Sequence, residues 1–191
     1  MFWLCAAIGA LMPMLPVYLT SRGVSASSFA LITSVHGLIA VLTSQVIGYI
    51  ADTKVRRTTL LMVFCLGSAL VASVFPLLPA NILWLSLGMA GMSFFISQRL
   101  NIFNALTLDS YQGEARYPRI RMMGSIGFVI VAPLVGWLAD LPALGAAIMW
   151  PCIVAIELLA AIGMIKMMDA TPAERQIHQG SINFRQAQKI L

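Results

Sequence analysis

The chain has 191 residues, 60% of them hydrophobic and only 10% charged, with a formal net charge of +5. A water-soluble domain carries roughly 25% charged residues, so a soluble globular fold is excluded and the chain belongs in lipid. Cys5, Cys65 and Cys152 sit inside apolar runs without metal-ligand spacing, and their odd number argues against a disulfide framework.

Six apolar stretches follow one another: Phe2–Leu19, Phe29–Ala51, Thr58–Leu78, Ile82–Leu106, Met122–Ala139 and Leu144–Ile165. Each approaches the roughly 20 residues that cross a bilayer as a helix, and helices are the form that satisfies the backbone there. The fold expected is all-α and polytopic, with six transmembrane helices spread over residues 1–166. Pro13 and Pro16 interrupt the first run, and a second span follows at once, which is unlike a signal peptide. Residues 167–191 turn polar and then amphipathic, with Ile182, Phe184, Ala187 and Leu191 on one helical face. They read as a cytoplasmic linker, and the gene is expected to continue past Leu191 into a second half of about six more spans.

The basic residues orient the chain. Lys54, Arg56 and Arg57 follow the second span, Arg116, Arg119 and Arg121 the fourth, and Lys166, Arg175, Arg185 and Lys189 the sixth. Arg22 stands alone on the other side. Both ends are therefore expected in the cytoplasm of a cell held by its inner or plasma membrane. The positive charge is topological, so no nucleic-acid partner is implied.

Gly48-Tyr49-Ile50-Ala51-Asp52 closes the second span, and Gly136-Trp137-Leu138-Ala139-Asp140 closes the fifth. Three spans separate the copies, so they point to opposite faces of the membrane, as in an inverted three-plus-three repeat. The first copy continues as Thr53-Lys54-Val55-Arg56-Arg57. This segment resembles the loop between the second and third helices of major facilitator superfamily transporters. Gly48, Ala51, Asp52, Arg56 and Arg57 match the family's pattern, and Thr53 and Val55 depart from it. The resemblance implies the amino-terminal six-helix half of a secondary transporter working by alternating access, with Gly48, Asp52, Arg56 and Arg57 as a gating motif.

The fifth span opens with Tyr117-Pro118-Arg119-Ile120-Arg121-Met122-Met123-Gly124-Ser125-Ile126-Gly127-Phe128. This resembles a segment of the lactose-permease-like and nucleoside–proton symporter-like branches. It implies that Arg121 binds substrate hydroxyls and that Phe128 stacks on the ligand. At 100° per residue, Arg121, Ser125, Phe128 and Ala132 share one helical face. An arginine fork suits a polar, uncharged solute; the alternative is a plain positive-inside anchor. Where lactose-permease-like proteins carry a carboxylate on the fourth span, this chain has Asn104, which can bond hydroxyls but exchanges no protons.

On the fourth span Ser93, Ser97, Asn101, Asn104 and Thr107 gather on about one third of the circumference, either lining a cavity or bonding a neighbouring helix. Arg99 points the opposite way and is expected to snorkel to the headgroups. Glu157, on the sixth span, and His36, on the second, are titratable groups inside lipid. Each is either a proton-coupling group or a hydrogen-bonded interhelix residue. Thr33, Gly37, Ala40, Ser44 and Gly48 form a small-residue stripe on the second span, read as a packing seam.

Together these readings point to proton-coupled transport of a small polar organic solute such as a nucleoside or sugar, with lipid and protons as partners and no cofactor. The alternatives are an efflux antiporter of amphipathic compounds and a non-transporting membrane subunit or sensor. An enzyme is not expected, because no catalytic pair or metal-ligand cluster stands at helical spacing. If Asp52 latches the loop after the second span, Asp52→Asn in the full-length protein will spare expression and cut uptake several-fold. Wild-type uptake in whole cells would leave Asp52 a solvated loop acid.

Overall fold

The computed structural model describes the backbone of residues 1–53, 56–110, 116–141 and 145–170, and the side chains of residues 1–51, 56–108, 117–141 and 145–165. The side chain of Asp52, Lys54 and Val55, and residues 171–191 of the expected linker lie outside that set. The helices are α1 (Phe2–Ser21), α2 (Ala26–Thr53), α3 (Arg57–Val74), α4 (Ile82–Ser110), α5 (Arg116–Ala139) and α6 (Met149–Ala170). Short 3-10 turns at Phe75–Leu77 and Ala146–Ile148 end α3 and lead into α6. The described residues contain no strand. Most boundaries differ from the hydropathy reading because polar and basic residues continue a helix beyond its apolar stretch. Thus α4 runs on to Ser110, α5 already starts at Arg116, and α6 passes residue 166 to reach Ala170.

Five of the helices are long and apolar enough to cross a membrane, and α4 falls short of that measure. The cause is chemical: Ser93, Ser97, Gln98, Arg99, Asn101 and Asn104 interrupt its apolar run. A helix so polar is stable in hydrocarbon only with those groups turned towards protein.

The packing order is α2–α4–α3–α6–α1–α5: α1 packs chiefly on α5 and α6, α4 chiefly on α2 and α3, and α3 lies against α6. Exchanging α1 with α4, α2 with α5 and α3 with α6 leaves this pattern unchanged. The repeat seen at Gly48–Asp52 and Gly136–Asp140 is therefore matched by the helix neighbourhoods, as in an inverted repeat. The outermost helices, α2 and α5, bury the smallest shares of their spans, 11% and 22%.

Two apolar clusters fill the interior. One lies towards the end bearing Arg22 and includes Leu15, Leu19, Phe75, Met89, Trp150 and Ile153. The other lies towards the basic end and includes Leu4, Leu61, Phe64, Phe103, Leu106 and Met164. Arg22 fastens the first end. Its Nη1 donates to the Tyr18 hydroxyl at 2.9 Å and the Pro76 carbonyl at 3.0 Å, and its Nη2 to the Leu78 carbonyl at 2.6 Å. The carbonyls of the turn that follows α3 thus gain a charged donor. Tyr18 in turn meets Trp150 edge-on at 5.3 Å, and Trp150 stacks on Phe75 at 4.4 Å. The adjoining turn is a Schellman cap: Gly23, at φ 76°, lets Val24 N–H reach the Leu19 carbonyl at 3.0 Å.

The α1–α5 seam is close because glycine lines it. A Cβ at Gly9 would lie 3.0 Å from the Phe128 carbonyl oxygen, and one at Gly127 would run into the Phe2 carbonyl. The α2 stripe behaves differently from the seam expected of it. A Cβ at Gly37 or Gly48 would meet nothing within 4 Å, and α2 instead contacts α4 through the His36 and Ala40 carbonyls and the Thr43 hydroxyl. Periodicity identified a face of small residues without telling which side the partner helix takes. Overpacking costs about 1–3 kcal/mol. Gly127→Val is accordingly expected to lower the melting temperature of the detergent-solubilised protein, while Gly37→Ala leaves it unchanged. An unshifted Gly127→Val protein would mean that α1 and α5 do not meet at Phe2.

Candidate functional site

A cavity of about 380 Å³ lies between α1, α4 and α5 near the basic end. Met1, Cys5 and Ile8 of α1 form one wall, Leu100 and Asn104 of α4 a second, and Arg121, Gly124, Ser125, Phe128 and Val129 of α5 the third. Arg121, Ser125 and Phe128 line it together because residues at i, i+4 and i+7 stack on one helical face. Asn104 joins them from α4, one turn beyond Leu100 on the same face. Four of the residues singled out from sequence thus border one space. Asn101 and Ala132 are not among its lining residues. Asn101 is exposed, with its amide 3.5 Å from the Gln98 side-chain oxygen.

The polar face of α4 divides between the two roles left open for it. Ser93 is buried and donates to the His36 carbonyl of α2 at 2.6 Å, with Ser97 3.3 Å from its hydroxyl. Thr107 is buried and bonds the Phe103 carbonyl of its own helix at 2.8 Å. Only Asn104 of that group reaches the cavity. Gln98, not singled out from sequence, donates its amide to the Ala40 carbonyl at 2.9 Å and to Thr43 Oγ1 at 3.0 Å. Its position beside Ser97 in the polar run was the available signal.

Arg99 does not snorkel. It is 1% exposed, and its Nη1 donates to Glu157 Oε2 of α6, itself fully buried. The Ser68 hydroxyl and Cys65 Sγ of α3 stand 3.5 and 4.0 Å from the same nitrogen. The expectation failed because it treated Arg99 without a partner: a carboxylate on a neighbouring helix removes most of the cost of an intramembrane charge. The pair could have been found as two opposite charges inside predicted spans. It lies where the two apolar clusters meet, since Ile96 and Ile156 belong to one, and Ile102 and Ala160 to the other. Arg99 Nε and Nη2 and Glu157 Oε1 have no protein partner.

His36 is half-buried, and its buried Nδ1 lacks a partner. Gly48 lies in the last turns of α2, and Arg56 and Arg57 stand at the start of α3, so these three residues of the expected gating motif flank the α2–α3 connection at the basic end. Of the cysteines, Cys65 is buried, Cys152 is half-buried against the first apolar cluster, and Cys5 borders the cavity. Among the described residues no cluster of His, Cys, Asp or Glu is suited to hold a metal ion.

A bundle of membrane-length helices with inverted-repeat packing, polar side chains turned inward and a cavity at one end has the build of a membrane transporter half. The sequence matches the MFS_1 like family over residues 1–190, and the chain belongs to that family of the major facilitator superfamily. It is accordingly a multi-pass membrane protein of a transporter family. No curated protein matches it.

Proposed function

We propose that the protein is a proton-coupled secondary transporter of a small, polar, uncharged organic solute, of the size and chemistry of a nucleoside or sugar. The observation that carries this reading is the convergence of Asn104, Arg121, Ser125 and Phe128 on one cavity. Its volume of about 380 Å³ falls within the roughly 300–1,000 Å³ usual for small-molecule sites. Arg121 supplies a planar fork of donors, Asn104 both a donor and an acceptor, Ser125 a hydroxyl, and Phe128 a flat face. That set recognises ring hydroxyls or a base edge on one side and stacks on the other.

In this reading residues 1–166 form one half of the transporter. A second six-helix half of the same polypeptide closes the cavity, and the two rock about it. The α2–α3 connection with Gly48, Asp52, Arg56 and Arg57 latches the basic end, which faces the cytoplasm. Of the two candidate proton carriers, His36 is the better supported. Imidazole exchanges protons near neutrality, whereas Glu157 is the counter-ion of the buried Arg99. A second reading, export of amphipathic compounds, draws support from the apolar side chains of Ile8, Leu100 and Val129 in the cavity wall.

Arg121→Lys separates a binding arginine from an anchor, because lysine keeps the charge and loses the fork. In the full-length protein it is expected to weaken uridine or galactoside binding by roughly 1–3 kcal/mol, the scale for hydrogen bonds to a charged group. An unchanged dissociation constant would remove Arg121 from the site. Tight binding of a lipophilic cation, with neither uridine nor a galactoside bound, would favour the export reading.

Coupling is tested at His36. His36→Gln is expected to preserve solute binding and exchange down a gradient while abolishing accumulation driven by a pH gradient. Full accumulation in that variant would take the proton away from His36.

A further inference from the structure

Three consecutive residues of α4 face three different neighbours. Gln98 bonds α2, Arg99 bonds α6 beside α3, and Leu100 borders the cavity shared with α1 and α5. Successive side chains on a helix step by about 100°, so these three contacts together define the rotation of α4 about its axis. Asn104 inherits its direction from them, since it lies one turn from Leu100 on the same face. Apolar packing alone does not encode this rotation, because lipid tails are as apolar as Leu and offer no penalty for turning a hydrophobic face outward. The polar groups do, and Arg99 carries the only full charge among the three.

We infer that the Arg99–Glu157 pair is a positioning device that sets the rotation of α4 and so holds Asn104 in the cavity. The pair deepens the cavity reading given above and needs no particular solute. Its chemistry is that of an orienting contact rather than an optimised stabilising one. Three of its buried polar atoms, Arg99 Nε and Nη2 and Glu157 Oε1, have no protein partner. A buried pair left partly unsatisfied adds little net stability over an apolar replacement, while separating its members exposes a bare charge. Turning α4 away from α6 would do just that. Ser68 and Cys65 of α3 border Arg99 on its other side, so the guanidinium is held at the α3–α4–α6 junction. Leu100 and Asn104 are thereby left to face α1 and α5.

The test uses no solute, so its failure is separable from failure of the nucleoside or sugar reading. In full-length protein in membrane vesicles, with Cys5, Cys65 and Cys152 replaced by alanine, Asn104→Cys reports on the cavity through its rate of modification by a small hydrophilic methanethiosulfonate. Ser125→Cys does the same from α5. Positioning predicts that Arg99→Leu combined with Glu157→Leu still gives a monodisperse protein. Modification at position 104 then slows about tenfold, one factor-of-ten shift in the population facing the cavity, while position 125 reacts as before. Arg99→Lys, which keeps the charge without the fork, is expected to slow position 104 by a smaller factor. Native reactivity at position 104 in the double-leucine protein would overturn the proposal. So would equal slowing at both positions, which would mean a collapsed cavity. A double-leucine protein that does not fold would also overturn it, because the pair would then be a determinant of folding.

Discussion

A helix in hydrocarbon satisfies its own backbone wherever it lies, so the decision left to its side chains is which way it faces. In this protein that decision falls hardest on α4, whose serines, glutamine, arginine and asparagines cannot all be offered to lipid. The bundle accommodates Ser93, Gln98 and Arg99 by surrounding α4 with acceptors: the carbonyls of His36 and Ala40 on α2 and the carboxylate of Glu157 on α6. Apolar contacts then fill the space above and below the charged layer in two separate clusters. The rest of the architecture is compatible with that one constraint.

The two ends of the bundle are held by different chemistry. At one end Arg22 gathers open carbonyls and the Tyr18–Trp150–Phe75 rings tie α1 to α6 and to the end of α3. At the basic end, glycine lets α1 and α5 approach at backbone distance, and the cavity opens beside that seam. Gly127 stands between Ser125 and Phe128, so one short stretch of α5 presents a close-packing glycine to α1 and a polar, aromatic face to the cavity.

Much of this was legible in the sequence, and the reasons are specific. Hydropathy and the scarcity of charge separated six helices, and the Gly48–Asp52 and Gly136–Asp140 repeat anticipated the exchange symmetry of the packing. The 100° step put Arg121, Ser125 and Phe128 on one face, and they do border one cavity with Asn104. The same reasoning misdirected Arg99 and the α2 stripe. Periodicity describes a helix by itself, and the outcome for Arg99 and for the stripe depended on what stood opposite.

Composition, spacing and the placement of basic residues determined that this is a polytopic helical protein, where its helices lie along the chain, and which side chains share a face. These properties are local or additive, arising from the solvent preference of each segment and the geometry of one helix. Tertiary structure decided which faces meet: that Arg99 finds Glu157, that Ser93 and Gln98 bind α2 while Asn104 turns to the cavity, and that Gly127 rather than Gly37 marks a close approach. The physical reason is that lipid and protein interior are almost equally apolar. The way each helix faces is therefore decided by a few polar contacts and glycine close approaches between segments distant in the chain, and no single segment contains that information.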